Sequence, residues 1–192
     1  MNASRQSPWS QIYANILSCS LLLILGILVY GNHLKNQFQF DSVHYIQIDH
    51  KFQRPEKLLT FDFLKSDYRS RSLLTITIAW NALLGKFNPY GYHLFNLTFH
   101  LFNSLLLFFI AGKTCLRFQL HRIGMTGREA HVLSLFAALL FLIHPLQTES
   151  VNDIMSRSEI LSATFYLLGF FLFQIGLDGK VTPLVRYLII PV

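Results

Sequence analysis

Of 192 residues, 52% are hydrophobic and 15% aromatic but only 14% are charged, and the mean hydropathy is +0.40. Soluble domains carry roughly a quarter charged residues, so eighteen Phe against so few charges point to a membrane protein and away from a basic soluble one. The net charge of +6 then reads as Lys and Arg collected in loops near headgroups, not as nucleic-acid affinity.

Met1–Gln11 is short and polar, with Arg5 and the amino terminus positive. Ile12–Tyr30 is apolar enough to span. It is longer than the ~7–15-residue core of a signal peptide and no A-x-A site follows, so it is expected to be an uncleaved first crossing. Residues 31–89 form a long polar loop of nearly balanced charge. Within it Arg54-Pro55-Glu56 has the form of a helix start, and Leu58, Leu59, Phe61, Phe63 and Leu64 suit a short interfacial helix. Ser72–Leu84 is apolar but short for a crossing and fits an interfacial or re-entrant helix ended by Gly85 and Pro89.

Tyr90–Gly112 spans well and contains His93, Asn96 and His100. Seven positions apart, the two histidines share a helix face, where interhelical hydrogen bonding is the usual task of polar residues. Residues 113–128 hold Lys113, Arg117, Arg122 and Arg128 with no acid, the clearest positive-inside loop. Ala130–Ile143 crosses back, a polar hairpin occupies 144–159, and Ile160–Leu177 returns towards Lys180 and Arg186. The expected architecture is thus an all-α integral membrane bundle of about four complete crossings with a cytoplasmic N-terminus. A truncated fifth follows, because Tyr187–Val192 is apolar and stops short of the ~20 residues a crossing needs. The expectation is one transmembrane region belonging to a longer protein or a truncated gene.

This topology puts the acid-bearing parts, 31–89 and 144–159, on one non-cytoplasmic side. Asp41 emerges just past the first crossing, after Phe38 and Phe40, and the hairpin carries His144, Glu149, Asp153, Arg157 and Glu159. If the hairpin is helical, Glu149, Asp153 and Arg157 fall on one face at i, i+4 spacing. A carboxylate here can take a proton from an attacking hydroxyl, and an arginine or a metal can stabilise charge developing on a lipid phosphate. His144, Glu149 and Asp41 offer ligands for a divalent metal, but no H-E-x-x-H or comparable spacing supports one. Cys19 and Cys115 form no disulfide or metal pattern. Asn2-Ala-Ser and Asn96-Leu-Thr match the glycosylation acceptor pattern by chance.

Two motifs are more specific. One comprises Arg71-Ser-Leu-Leu-Thr, Asn81, Leu84-Gly85, Asn88-Pro89-x-Gly91-Tyr92-His93-Leu94-x-Asn96 and His100; the other is Leu142-Ile-His144-Pro145-Leu-Gln-Thr-Glu149-x-Val151 with Arg157-Ser-Glu159-x-Leu161. In this order, over about residues 30–175, they resemble the N-terminal membrane region of the transmembrane, tetratricopeptide-repeat-containing O-mannosyltransferases and their bacterial relatives, which are glycosyltransferases of the GT-C fold. The resemblance implies transfer of a hexose, typically mannose, from a polyprenyl-phosphate sugar to a protein hydroxyl on the non-cytoplasmic side. It implies catalytic carboxylates at Asp41 and Glu149, donor-phosphate contacts at Arg71 and Arg157, and a site lined by His93, Asn96, His100 and His144. Where the family has two adjacent acids, this chain has Asp41-Ser42, and Ser72 replaces a proline after Arg71. No 34-residue repeat occurs in this chain. Ser42 keeps a second reading open, a non-catalytic membrane protein that binds lipid-linked sugar or serves assembly. A transporter piece would need more polar residues along its crossings. Between a bacterial inner membrane and an endoplasmic reticulum, the expectation leans to the bacterial one.

Overall fold

The computed structural model describes residues 8–39, 41–48, 54–56, 71–118 and 124–177, and the regular elements among them are all helical. Helix α1 (Pro8–Tyr30) carries polar residues in its first half, is apolar from Leu21 on, and ends in a 3₁₀ turn, Gly31–Lys35. An extended stretch leads to a π-helical turn, Val43–Ile48. Residues 54–56 form a bend and a helical turn at the Arg54-Pro55-Glu56 start, while the interfacial helix expected over 58–64 lies outside the described residues.

Helix α2 (Ser72–Gly85) has the short length expected of it and ends at Lys86, whose φ of 50° turns the chain. Helix α3 (Pro89–Phe118) begins at once: Asn88 Oδ1 accepts the Tyr90 N–H (3.1 Å) and proline fills the first helical position. Helix α4 (Gly127–Ile143) opens with a capping box. Thr126 Oγ1 accepts the Glu129 N–H (3.3 Å) and Glu129 Oε2 accepts the Thr126 N–H (2.7 Å). It ends before Pro145, where the residue ahead of a proline leaves the helical region; His144 has ψ 131°. Helices α5 (Gln147–Asn152) and α6 (Arg157–Leu177) follow.

Helix α3 is the axis of the bundle. Its bonds to α4, His100 to the Leu142 carbonyl (3.1 Å) and Ser104 to that of Ala138 (3.2 Å), run in opposite directions along the two chains. Its bonds to α6 run in the same direction: Asn103 Nδ2 to the Ile160 carbonyl (3.1 Å), then Gln174 Nε2 to Thr114 Oγ1 (2.7 Å). Helix α1 lies alongside α4, joined by Ser18 to His131 (2.9 Å) at one end and by Tyr30 Oη to the Leu142 carbonyl (3.0 Å) at the other. Each interhelical bond contributes on the order of 0.6–2 kcal/mol where no water competes. Leu22, Phe108, Ala138 and Leu142 fill the space between α1, α3 and α4. A second core, with Phe38, Ile46, Leu74, Ile78, Tyr92, Ile154 and Met155, packs α2 and the π-helical turn against the start of α3 and the α5–α6 turn.

Among the described residues three helices are long and apolar enough to cross a membrane: Trp9–Lys35, which includes the turn after α1, Pro89–Arg117 and Arg157–Leu177. Their outward residues are large and apolar, Leu17 and Leu28 of α1 being 73% and 69% exposed, as lipid contact requires. Of the four complete crossings expected, α4 is the short one. Its 17 residues extend about 25 Å, at the lower limit for a span of ~30 Å. The expected fifth crossing lies outside the described residues.

At Gly26, α1 packs against side chains of α3 and α4 with no room for a Cβ. A Cβ built there would sit 2.3 Å from Leu101 Cδ2 and 3.2 Å from Leu142 Cδ1. Gly26→Val is expected to lower stability by about 1–3 kcal/mol through overpacking, read as a lower melting temperature in detergent. Leu101→Ala in the same protein should recover part of the loss, because Leu101 is the side chain that must move.

Candidate functional site

The C-terminal end of α1, the N-terminal end of α3, the C-terminal end of α4 and the N-terminal end of α6 meet at one end of the bundle, where two chain segments far apart in sequence enclose a cavity. The first segment leaves α1 at Tyr30. His33 turns back to bond the Tyr30 carbonyl, and its ring meets that of His93 edge-on at 5.3 Å. His93 Nε2 donates to the Asn36 carbonyl (3.2 Å), which ties the extended stretch to α3. Phe38 is buried edge-on against Tyr92 (5.3 Å). Ser42 closes the segment, its hydroxyl accepting the Gln39 N–H (2.9 Å) and donating to the Gln39 carbonyl (2.5 Å).

The second segment is the α4–α6 hairpin. The Leu146 N–H donates to His144 Nδ1 (3.2 Å), which shapes the turn at Pro145. Helix α5 ends at Asn152, and Asp153 organises the next turn, accepting from the Met155 N–H (3.1 Å) and the Ser156 hydroxyl (3.0 Å). The single helical face expected for Glu149, Asp153 and Arg157 therefore does not form. Asp153, in extended backbone with ψ 124°, ends α5, and Arg157 starts a different helix.

Arg157 is fully buried. Its Nε donates to Asn96 Oδ1 (2.9 Å), its Nη2 to the Tyr92 carbonyl (3.0 Å), and its guanidinium lies 4.3 Å from the centre of the Phe95 ring. Asn96 Nδ2 in turn donates to the Asp153 carbonyl (3.0 Å) and, more weakly, to that of Val151 (3.5 Å). Arg157 and Asn96 together staple the hairpin onto α3. Nη1 of Arg157 has no hydrogen-bond partner among the described residues.

The two segments enclose about 360 Å³, with Gln37, Gln39, Ser42 and His93 on one wall and Thr148, Glu149, Asn152 and Asp153 on the other. Of the expected site residues, His93 and Glu149 line this space. Glu149 is exposed to it, and its carboxylate bonds no described residue, whereas both carboxylate oxygens of Asp153 are committed to the turn.

The other expected site residues have varied positions. Asp41 is exposed beside the cavity, and it is its neighbour Ser42 that lines the wall. Arg71 is exposed at the start of α2, outside the cavity lining, with its carbonyl accepting from Thr75 (3.2 Å). Arg157 does not line the cavity either; its Nε and Nη2 are committed to α3. His93 lines the cavity, whereas Asn96 and His100 are buried in interhelical bonds and His144 shapes its turn. Among the described residues no group of three or more His, Cys, Asp or Glu is arranged to hold a metal ion. Gln37, Gln39 and Asn152 were not anticipated, lying outside the two motifs, and Thr148 was part of the second motif without an assigned role; the meeting of the two segments reveals all four.

No family model matches the chain, and no solved structure matches it. Its similarity is to curated proteins. It is 33% identical to the human protein O-mannosyl-transferase TMTC3 over 170 residues, which are 82% of this chain and 17% of that protein. It is 29% identical to Drosophila melanogaster Tmtc3 over 189 residues, 86% of this chain and 20% of that protein, and 36% identical to human TMTC4 over 103 residues, 54% and 14%. The chain is a homologue of the TMTC protein O-mannosyl-transferases. It spans about a sixth to a fifth of the length of TMTC3 and Tmtc3. These TMTC relatives are animal proteins, which removes the support for a bacterial inner membrane; the apolar helices make it a membrane protein.

Proposed function

We propose that the chain is a membrane module of a TMTC-type glycosyltransferase that moves mannose from a polyprenyl-phosphate donor to a protein hydroxyl on the non-cytoplasmic side. The observation that carries this reading is the cavity in which Glu149 meets the Gln37–Ser42 segment next to Asp41. In the proposed reaction the acceptor hydroxyl attacks the anomeric carbon while Glu149 takes its proton, and the bond from that carbon to the phosphate oxygen breaks. The polyprenyl phosphate leaves with the electron pair. Asp41, exposed at the rim, orients the donor sugar. Arg71, exposed at the start of α2, meets the phosphate at headgroup level. The homologues named protein O-mannosyl-transferases support the reaction class. The sidedness rests on the basic run over residues 113–128, of which Lys113 and Arg117 lie in the last turns of α3 and Arg128 in the first turn of α4, at the opposite end of the bundle.

A second reading, binding of a lipid-linked sugar without turnover, is favoured by one observation: Ser42, not an acid, faces the cavity beside Asp41. The intact protein reconstituted with radiolabelled polyprenyl-phosphate mannose and acceptor protein separates the two. Transfer that Asp41→Asn abolishes, at unchanged membrane yield, is the expected outcome. Donor binding without transfer would establish the second reading, and transfer unaffected by Asp41→Asn would overturn the role of that residue.

A further inference from the structure

A second cavity, of about 170 Å³, lies between α1, α3 and α4 at the opposite end of the bundle. Gln11 and Asn15 contribute side-chain amides from the first turns of α1, Lys113 comes from the end of α3, and His131 from the start of α4. Phe108 and Phe109 give it an apolar wall.

The start of α4 adds to its positive character. The capping box occupies the N–H groups of Thr126 and Glu129, and the first intrahelical bond is Ala130 N–H to the Thr126 carbonyl (3.0 Å). The N–H groups of Gly127, which lines the cavity, and Arg128 have no intrahelical acceptor. They stand at the positive end of the helix dipole. No carboxylate lines the cavity among the described residues, and the nearby Glu129 is turned back to Thr126.

We infer that this cavity holds the phosphate of an anionic phospholipid from the adjoining leaflet, between Lys113, His131 and the amides of Gln11 and Asn15. The phosphate supplies acceptor oxygens to a wall rich in donors. The acyl chains continue over Phe109 and Leu116, both more than a third exposed, a contact that a free phosphate compound would not use. The lipid would thereby fasten α1 to the α3–α4 hairpin, which the Ser18–His131 bond joins one turn deeper.

Native mass spectrometry of the intact protein released from nanodiscs of equal phosphatidylserine and phosphatidylcholine tests this. Phosphatidylserine should be retained preferentially, and Lys113→Gln should reduce that retention about fivefold, equivalent to the ~1 kcal/mol that one lysine contributes at an anionic surface. Lys113→Arg should restore it, and Lys35→Gln, at the other end of the bundle, should leave it unchanged. Equal retention of the two lipids, or a Lys113→Gln protein that melts as the parent does and keeps the preference, would overturn the inference. Displacement of the lipid by millimolar inorganic phosphate would show that the site takes free phosphate instead.

Discussion

Arg157→Lys is expected to destabilise the bundle by about 2–4 kcal/mol even though it keeps the positive charge, because hydrogen bonds to charged groups contribute roughly 1.5–3 kcal/mol each and lysine cannot reproduce the fork. The guanidinium reaches two acceptors on α3 at once, Asn96 Oδ1 and the Tyr92 carbonyl, and lies over Phe95. An ammonium offers one point of donation and packs differently on the ring. Thermal denaturation in detergent reads the loss directly. Asn96→Leu should cost a similar amount, since it breaks both the Arg157 bond and the bonds to the Val151 and Asp153 carbonyls. The double variant should be less destabilised than the sum of the two by about 1–3 kcal/mol, because they share one network. A residue that only held a donor phosphate would give the opposite pattern: a melting temperature unchanged by lysine and additive effects with Asn96.

Glu149→Gln is expected to lower mannose transfer by about 10²–10⁴-fold, the usual contribution of a positioned general base, with no loss of stability. Its carboxylate is exposed and bonds no described residue, so the amide fits without leaving an unsatisfied group. The neighbouring acid separates function from folding. Asp153→Asn weakens the acceptors of the Met155 N–H and the Ser156 hydroxyl and should lower the melting temperature. Transfer and melting curves of the two variants, measured side by side, should therefore change in different columns: activity for Glu149, stability for Asp153.

Much of this was legible in the sequence. Runs of Leu, Ile and Phe place the long helices because lipid exposure tolerates little else, and Asn88-Pro89 and Pro145 punctuate them by backbone sterics alone. Alternating crossings put Asp41 and Glu149 on one side of the membrane in the sequence reading; the fold lines the cavity with Glu149 and with Ser42, the neighbour of Asp41. The capping box at Thr126 and Glu129 was equally visible as T-x-x-E but lies within a basic stretch read as loop, so α4 starts earlier than expected, at Gly127. The role of Arg157 was not legible. A cation in a hairpin at a membrane face suggests an anionic ligand; only the fold shows that α6 begins at this residue and carries it against Asn96, sixty-one positions away. Asn96 itself lay in a motif, but its acceptors are backbone carbonyls, which leave no trace in sequence.

Labelling of single cysteines with a membrane-impermeant maleimide, in sealed vesicles of one orientation and after replacement of Cys19 and Cys115, tests most directly whether the two segments form one site facing one side. With the non-cytoplasmic face outside, Gln37→Cys and Glu149→Cys should both label before permeabilisation and Met125→Cys only after it. Labelling of positions 37 and 149 from opposite sides would contradict the shared cavity, and labelling of both only from the cytoplasmic side would contradict the proposed direction of sugar transfer.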